Sequence, residues 1–150
     1  MEVYIGTKII EAAPAVRKGG KVYDLTWPIP RSMEPEESGY RVRYPDGYES
    51  FCPKAAFEEA YRPIAGLNFG LAVEAAKKGK RVARKGWNGK GQYVELASGI
   101  AYVGPDGKIV NAEHEAIGNC ALAFVGTSGV QMGWLASQAD MLADDWMIVE

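Results

Sequence analysis

The stretch NFGLAVEAAKKGKRVAR, residues 68–84, predicts a helix that is followed at once by a strand. Asn68 is a favoured N-cap, and the apolar residues after it recur at helical spacing. Gly79 follows two lysines, which is typical of a helix C-terminus, where cations also suit the helix dipole. In the strand that follows, Arg81 and Arg84 stand at opposite parity, so we expect their side chains on opposite faces of a sheet.

The remainder of the chain to residue 150 predicts more strands and one short helix. Further strands are expected at about 92–96, 100–103, 108–110, 120–125 and 146–149. The run CALAFV at 120–125 is continuously apolar, which predicts a central strand of the sheet. Ser137 followed by Asp140 resembles a capping box, so a helix is expected over SQADMLA, residues 137–143.

The first section of the chain, residues 1–66, carries weaker signals. Two β-prone runs are predicted at Val3–Ile10 and Lys21–Trp27, and an exposed loop rich in proline and acid follows at 28–39. A hairpin is then predicted from Tyr40 through a turn at 45–47 to Phe51, and a short helix from Pro53 to Tyr61. Together with the second section, residues 67–150, these elements predict an α+β fold, a mostly antiparallel sheet with a few short helices.

Length, composition and charge exclude several classes of protein. With 150 residues and 47% apolar content, the chain can form one or two small domains with a core. No apolar run approaches the roughly 18 residues that span a bilayer, so we expect no membrane partner. The formal net charge of −2 argues against binding to long nucleic acid. Two isolated cysteines, Cys52 and Cys120, fit a reducing cytosol.

The segment Lys77–Lys90, KKGKRVARKGWNGK, concentrates positive charge in a chain that is otherwise acidic. It holds seven Lys and Arg and no carboxylate, whereas the remainder has 10 Lys and Arg against 19 Asp and Glu. Trp87 and Asn88 lie between two glycines in its middle. A flat ring, an amide and an accessible backbone suit an anionic aromatic ligand such as a nucleotide. Two alternatives stay open. Lys77, Lys78 and Lys80 could be only a solvent-exposed helix end, and Trp87 could be a ring of the hydrophobic core.

Support for catalysis or metal binding is weak. His114, the only histidine, lies between two glutamates in a polar stretch, where a lone histidine is usually a surface residue. Asp140, Asp144 and Asp145 could bind a metal as a carboxylate cluster, but Asp140 is expected to be occupied by the helix N-terminus, and Asp144 and Asp145 are typical of a polar loop. The sequence contains no Walker or GxSxG motif. We therefore expect no enzymatic activity, no metal and no cofactor.

Two blocks of the second section resemble the Thoeris anti-defence protein two family of phages. The first block joins Asn68-Phe69-Gly70 to the pattern AxxxxKxGKRVARKGWNGKG over 72–91, and the second is WLASQADMLADDW over 134–146. The resemblance covers about 67–150. Residues 1–66, with YPDGYESFCPKAAFEEAYRP, are similar to an N-terminal module of some phage proteins.

This resemblance implies a sponge in the cytoplasm of the infected bacterial host. Such a protein sequesters the cyclic ADP-ribose-type signal of the Thoeris system without cleaving it, and some members also take up cyclic di- or trinucleotides of the related CBASS system. The family is implied to form homo-oligomers, dimers or tetramers, with ligand pockets between subunits. The stretch at about 104–120 is longer than a minimal member needs, which implies an altered ligand choice.

The same resemblance implies which residues contact the base and ribose of the ligand. Trp87 or Phe69 would stack on the base, because an aromatic ring suits the flat face of a purine. Asn88 and Asp140 would form hydrogen bonds with base edges or ribose hydroxyls.

Further ligand contacts are implied for the phosphates and for the subunit interface. Arg84 and Lys90, with backbone N–H groups of the glycines, would meet the phosphates. Trp134, Gln138 and Met141 would complete the site of a neighbouring subunit.

Two other functions remain as alternatives. The first is a hydrolase of the same signal that uses His114 or the aspartate cluster. The second is a nucleic-acid-binding phage adaptor that uses the basic segment, which would retain an oligonucleotide with a steep dependence on salt.

Overall fold

The computed structural model describes residues 1–87, 91–111 and 119–149. The chain divides into two compact units, residues 1–62 and 63–150. In the described residues, the first unit contains a four-stranded sheet, and the second contains a five-stranded sheet and a two-stranded hairpin.

The first unit is an antiparallel sheet with one short helix. Its elements are β1 (Glu11–Lys18), β2 (Lys21–Asp24), β3 (Glu36–Arg43), β4 (Glu49–Pro53) and α1 (Lys54–Ala60). The strand order is β2-β1-β3-β4. Stacked rings connect α1 to the sheet, since the Phe57 ring lies 3.9 Å from that of Tyr40 in β3. The ring of Tyr61, which follows α1, lies 4.9 Å from that of Phe57.

The predicted position of the first strand is wrong. The β-prone run Val3–Ile10 lies outside the sheet, and β1 starts at Glu11 and continues through Pro14. Proline is tolerated here because β2 pairs only with Ala15–Lys18, which leaves Pro14 beyond the end of the ladder on that side.

The predicted loop at 28–39 is also too long, because β3 already begins at Glu36. Two ion pairs with the neighbouring strand hold this acidic start in the sheet. Glu36 accepts a hydrogen bond from the buried Lys18 ammonium at 3.1 Å, and Glu37 pairs with Arg17. The acidic residues that favoured a loop in the prediction are therefore part of a strand, because cations stand opposite them in β1.

The second unit packs one helix on a five-stranded antiparallel sheet. Its elements are α2 (Phe69–Lys77), β5 (Arg81–Arg84), β6 (Tyr93–Ser98), β7 (Tyr102–Val103), β8 (Ile109–Val110), β9 (Cys120–Gly126), β10 (Gly129–Met132), α3 (Gln138–Met141) and β11 (Trp146–Val149). The strand order is β10-β9-β6-β5-β11, and β7 and β8 form the separate hairpin. The apolar run at 120–125 lies inside the sheet as β9, but the central strand is β6.

Helix α2 starts and ends where the sequence predicts. The Asn68 side chain accepts a hydrogen bond from the N–H of Leu71 at 2.8 Å, and Gly79 follows the helix with a φ of 84°, a conformation that favours glycine. One face of the helix consists of small side chains that are buried against the sheet. The core that they form with the sheet consists of Leu67, Ala72, Ala75, Ala76, Val82, Val94 and Trp146.

The fold class is confirmed at the level of mostly antiparallel sheets with a few short helices, an architecture that fits a small α+β or a mostly-β fold. Strand β10 was not predicted, because it has only four residues, all exposed, and starts with glycine. Among the described residues, no helix is both long enough and apolar enough to cross a membrane.

Candidate functional site

Five rings of the second unit meet on the sheet face that carries α2, and we call them the aromatic cluster: Phe69, Trp87, Phe124, Trp134 and Trp146. Trp146 is fully buried, and its ring centroid lies 5.3 Å from that of Trp87 and 6.1 Å from that of Trp134. Trp87 also lies 5.3 Å from Phe124. Trp87 and Trp134 remain half-buried, so part of each ring can contact a ligand.

The two half-buried tryptophans each lie in the connection that follows a strand, and backbone hydrogen bonds hold both of them. Trp87 follows β5, and its N–H donates to the carbonyl of Arg84 at 3.3 Å. Trp134 follows β10, and its N–H donates to the carbonyl of Leu122 at 2.9 Å. The sheet therefore fixes the backbone that carries both rings.

Arg84 forms the polar edge of the aromatic cluster. It is the cross-strand partner of Trp146 in the β5–β11 ladder, so both side chains leave the same face of the sheet. Its Nε lies 2.9 Å from Asp145 Oδ1, and its Nη1 lies 3.0 Å from Asp140 Oδ1. The hydrogen bonds to Asp145 and Asp140 raise the pKa of Arg84 above its usual value.

Asp140 links helix α3 to the sheet. Its Oδ2 accepts hydrogen bonds from the backbone N–H and the hydroxyl of Ser137, which completes the predicted capping box. Its backbone carbonyl accepts the indole N–H of Trp146 at 2.8 Å. Burial alone would raise the pKa of Asp140, but hydrogen bonds from Ser137 and Arg84 outweigh it and lower the pKa. The carboxylate is therefore ionised at neutral pH.

The basic segment is split between two ends of the second unit. Lys77 and Lys78 end α2, and β5 then leads the chain back past the helix to Arg84 and Lys85. A four-residue strand is about 13 Å long, so the lysines at the helix end are far from the turn that carries Trp87. Of the lysines that precede Trp87 in the basic segment, only Lys85 lies at the same end of β5 as Trp87.

The two arginines of β5 point in opposite directions, as their parity predicts. Arg81 pairs with Glu95 at 3.4 Å, and its guanidinium lies 4.6 Å from the centre of the Tyr93 ring. Tyr93 and Glu95 flank the buried Val94 in β6, so this pair lies on the sheet face opposite the aromatic cluster.

The structure brings most of the predicted ligand-binding residues together. Phe69, Trp87 and Trp134 belong to the aromatic cluster, and Arg84 and Asp140 contact each other at its edge. The other predicted residues fall into two groups. Gln138 and Met141 are exposed on α3, whereas Asn88, Lys90 and the alternative catalytic residue His114 lie outside the described residues. The ligand-binding roles of all of them stay predictions.

A small apolar pocket lies between α2 and the aromatic cluster. Its lining residues are Phe69, Ala72, Val73, Ala76, Val82, Val94, Leu122, Trp134 and Trp146. Its volume is about 10 Å³, which is room for roughly one water molecule. A nucleotide does not fit into this pocket, so a ligand at the aromatic cluster would contact the exposed parts of its rings.

Two members of this site were not predicted from the sequence. Phe124 is hidden in the apolar run of β9, where nothing distinguishes it from other core residues. Asp145 was assigned to a polar loop or a metal cluster, but it pairs with Arg84. In the part of the chain that the structure describes, no group of three His, Cys, Asp or Glu side chains is placed to hold a metal ion.

Comparison with known proteins assigns the second unit to a family. The sequence profile of the Thoeris anti-defense 2-like domain matches residues 67–149. The protein Thoeris anti-defense 2 of Bacillus phage SP01 is 36% identical over 88 residues, a match that covers 55% of this chain and 94% of that relative. The chain therefore belongs to the Thoeris anti-defense 2-like family, and this membership supports a role in phage anti-defence.

Proposed function

We propose that this protein binds a cyclic ADP-ribose-type Thoeris signal in the infected host and sequesters it without cleaving it. Family membership supports the anti-defence role, and the aromatic cluster is the observation that carries the proposal of a nucleotide ligand. Trp87 and Trp134 keep part of their rings exposed. Stacking of a base on such a ring contributes about 1–3 kcal/mol to binding. The same surface would suit the bases of cyclic di- or trinucleotides.

Binding without turnover is favoured by the state of the carboxylates at the site. A general base or nucleophile needs a carboxylate that is free to approach the substrate. Asp140 and Asp145 both form ion pairs with Arg84, and the second oxygen of Asp140 caps α3. These two carboxylates serve the structure of the site, which argues against a hydrolase that would use Asp140 or Asp145.

A second copy of the chain is proposed to complete the ligand site. The pocket between α2 and the aromatic cluster is far too small for a nucleotide, and apolar side chains around α3 face solvent. Leu135 is 87% exposed and Leu142 is 78% exposed. A homo-oligomer that places these side chains over a bound ligand would bury them and exclude water. Enclosure of this kind helps to reach nM affinity, about −12 kcal/mol.

The insertion at 104–120 is proposed to act on the pocket of a neighbouring subunit. Its described part includes β8 of the β7–β8 hairpin, which lies beyond the Ser98–Cys120 pair of β6 and β9. Phe124 of the aromatic cluster is paired with Val94 of β6. Val94 is four residues from Ser98, which is about 13 Å along the strand. An effect of the β7–β8 hairpin on ligand choice is therefore proposed to act through a second subunit.

Recovery of the intact ligand tests this function. A thermal-shift panel of cyclic ADP-ribose isomers and cyclic di- and trinucleotides identifies a ligand, which is then bound, separated from free nucleotide and released by heat denaturation. We expect a nucleotide of unchanged mass in amounts that match the protein. A cleaved product that accumulates with time would contradict the proposal, and loss of that product in a His114→Ala variant would assign the cleavage to the histidine.

Replacing Lys85 with glutamine is expected to weaken ligand binding roughly fivefold at low salt, with a smaller effect at high salt. Lys85 is exposed next to the turn that carries Trp87, and it forms no ion pair within the described part of the chain. The matched control is Lys78→Gln, which removes the same charge at the far end of β5. Titration calorimetry of both variants checks this result. Equal losses would mean that the lysines act only through a general field.

A further inference from the structure

Arg84 is surrounded by carboxylates of its own chain. Its Nε and Nη2 donate to Asp145 at 2.9 and 3.4 Å, and its Nη1 donates to Asp140 at 3.0 Å. Only 24% of its side chain is exposed. We infer that Arg84 is a positioning residue, which fixes helix α3 against the aromatic cluster, and that it does not bind the ligand's phosphates. This inference rests on the proposed function of the site.

The charges around Arg84 oppose phosphate binding. One guanidinium faces two carboxylates, and the pKa of Asp140 is held low, so the group as a whole carries a net charge of about −1 at neutral pH. A phosphate that approached Arg84 would meet this negative charge, and the two carboxylates already take three of the five guanidinium N–H donors. Lys85, one residue further along the chain, is a cation without this obstacle.

Helix α3 depends on Arg84 because, in the described residues, few other hydrogen bonds join this helix to the sheet. The helix has four residues, and none of them is buried. Asp140 accepts two hydrogen bonds that join α3 to the sheet. Its carboxylate accepts one from Arg84, and its backbone carbonyl accepts one from the indole N–H of Trp146. Gln138 and Met141 share this short helix. Loss of the Arg84 bond therefore misplaces two predicted ligand contacts without removing either of them.

Four variants distinguish a positioning role from a direct contact: Arg84→Gln, Asp140→Asn, the double variant and Arg81→Gln. Affinity is measured by calorimetry, well below the unfolding temperature, with the cyclic nucleotide that the unaltered protein binds best. We expect each single variant at Arg84 or Asp140 to bind roughly ten- to a hundredfold more weakly, because each removes one charge of the ion pair that joins the two side chains. The double variant should bind no more weakly than the weaker single variant, since coupled residues are not additive.

Other outcomes overturn the inference. If Arg84 bound a phosphate, Asp140→Asn would release the guanidinium from one competitor, and binding would be unchanged or tighter. If both side chains contacted the ligand independently, the losses of the two single variants would multiply in the double variant. Arg81→Gln is the matched control, because it breaks an ion pair of the same strand on the opposite face. It should leave affinity within about twofold of the unaltered protein.

Near-ultraviolet circular dichroism of the ligand-free protein separates this inference from the proposed function. Three of the four tryptophans belong to the aromatic cluster, so the spectrum reports how α3 and the rings are held. Arg84→Gln should change the tryptophan bands, and Arg81→Gln should not. If no cyclic nucleotide binds to the unaltered protein, the proposed function fails, but this comparison still decides whether Arg84 positions α3. An unchanged spectrum for Arg84→Gln would overturn the inference.

Discussion

Replacing Trp146 with alanine is expected to lower the free energy of unfolding of the second unit by about 3–5 kcal/mol. The side chain is 0% exposed and packs against the rings of Phe69, Trp87 and Trp134. Alanine leaves a cavity among them and removes the indole N–H, which is one of the donors to the carbonyl of Asp140. Domains of this size are stable by about 5–15 kcal/mol, so the loss takes a large part of the total.

Urea unfolding followed by far-ultraviolet circular dichroism measures this effect. The control is Trp27→Ala in the first unit, which removes a ring of the same type that is 46% exposed and lies 5.1 Å from the guanidinium of Arg41. We expect the control to cost about 1 kcal/mol. Trp146→Phe keeps a ring but loses the indole donor, so an intermediate loss of about 1–3 kcal/mol is expected. A loss under 1 kcal/mol for Trp146→Ala would show that Trp146 is not the centre of the core.

Elements whose signals lie within one stretch of chain could be predicted. Asn68 and Gly79 mark the ends of α2 because capping and left-handed backbone are properties of single positions. Ser137 and Asp140 form the predicted capping box because the two residues are three positions apart on one helical turn. The face of each β5 arginine followed from the two-residue period of a strand.

Elements that depend on a distant partner could not be predicted. Strand β1 contains Pro14, and only the short ladder with β2 explains why the proline is tolerated. The contact between Arg84 and Asp145 joins residues 61 positions apart and follows from the register of β5 against β11. No local pattern encodes that register. Many of the side chains at the site could therefore be predicted from the sequence. Whether each of them is free or ion-paired could be read only from the tertiary structure.

Replacing Trp87 with leucine is expected to weaken nucleotide binding by about 1–3 kcal/mol, which is roughly 5- to 150-fold. A half-buried ring of the aromatic cluster offers a face to the base, and leucine fills part of its volume without a π system. Leucine is a better substitution than alanine for this test. Trp87 contacts Phe124, Trp134 and Trp146, so alanine would also open the core and confuse lost binding with lost folding.

The controls for Trp87 separate stacking from packing. Trp87→Phe keeps an aromatic ring and should retain most of the affinity, whereas Trp87→Leu should not, although both variants fit the same space. Tyr93→Leu removes a ring of similar burial from the opposite face of the sheet, where it contacts Arg81, and should leave affinity unchanged. Calorimetry on folded protein compares the three variants. If Trp87→Leu and Trp87→Phe bind equally well, Trp87 is a core ring and the base stacks elsewhere, with Trp134 as the other half-buried tryptophan of the cluster.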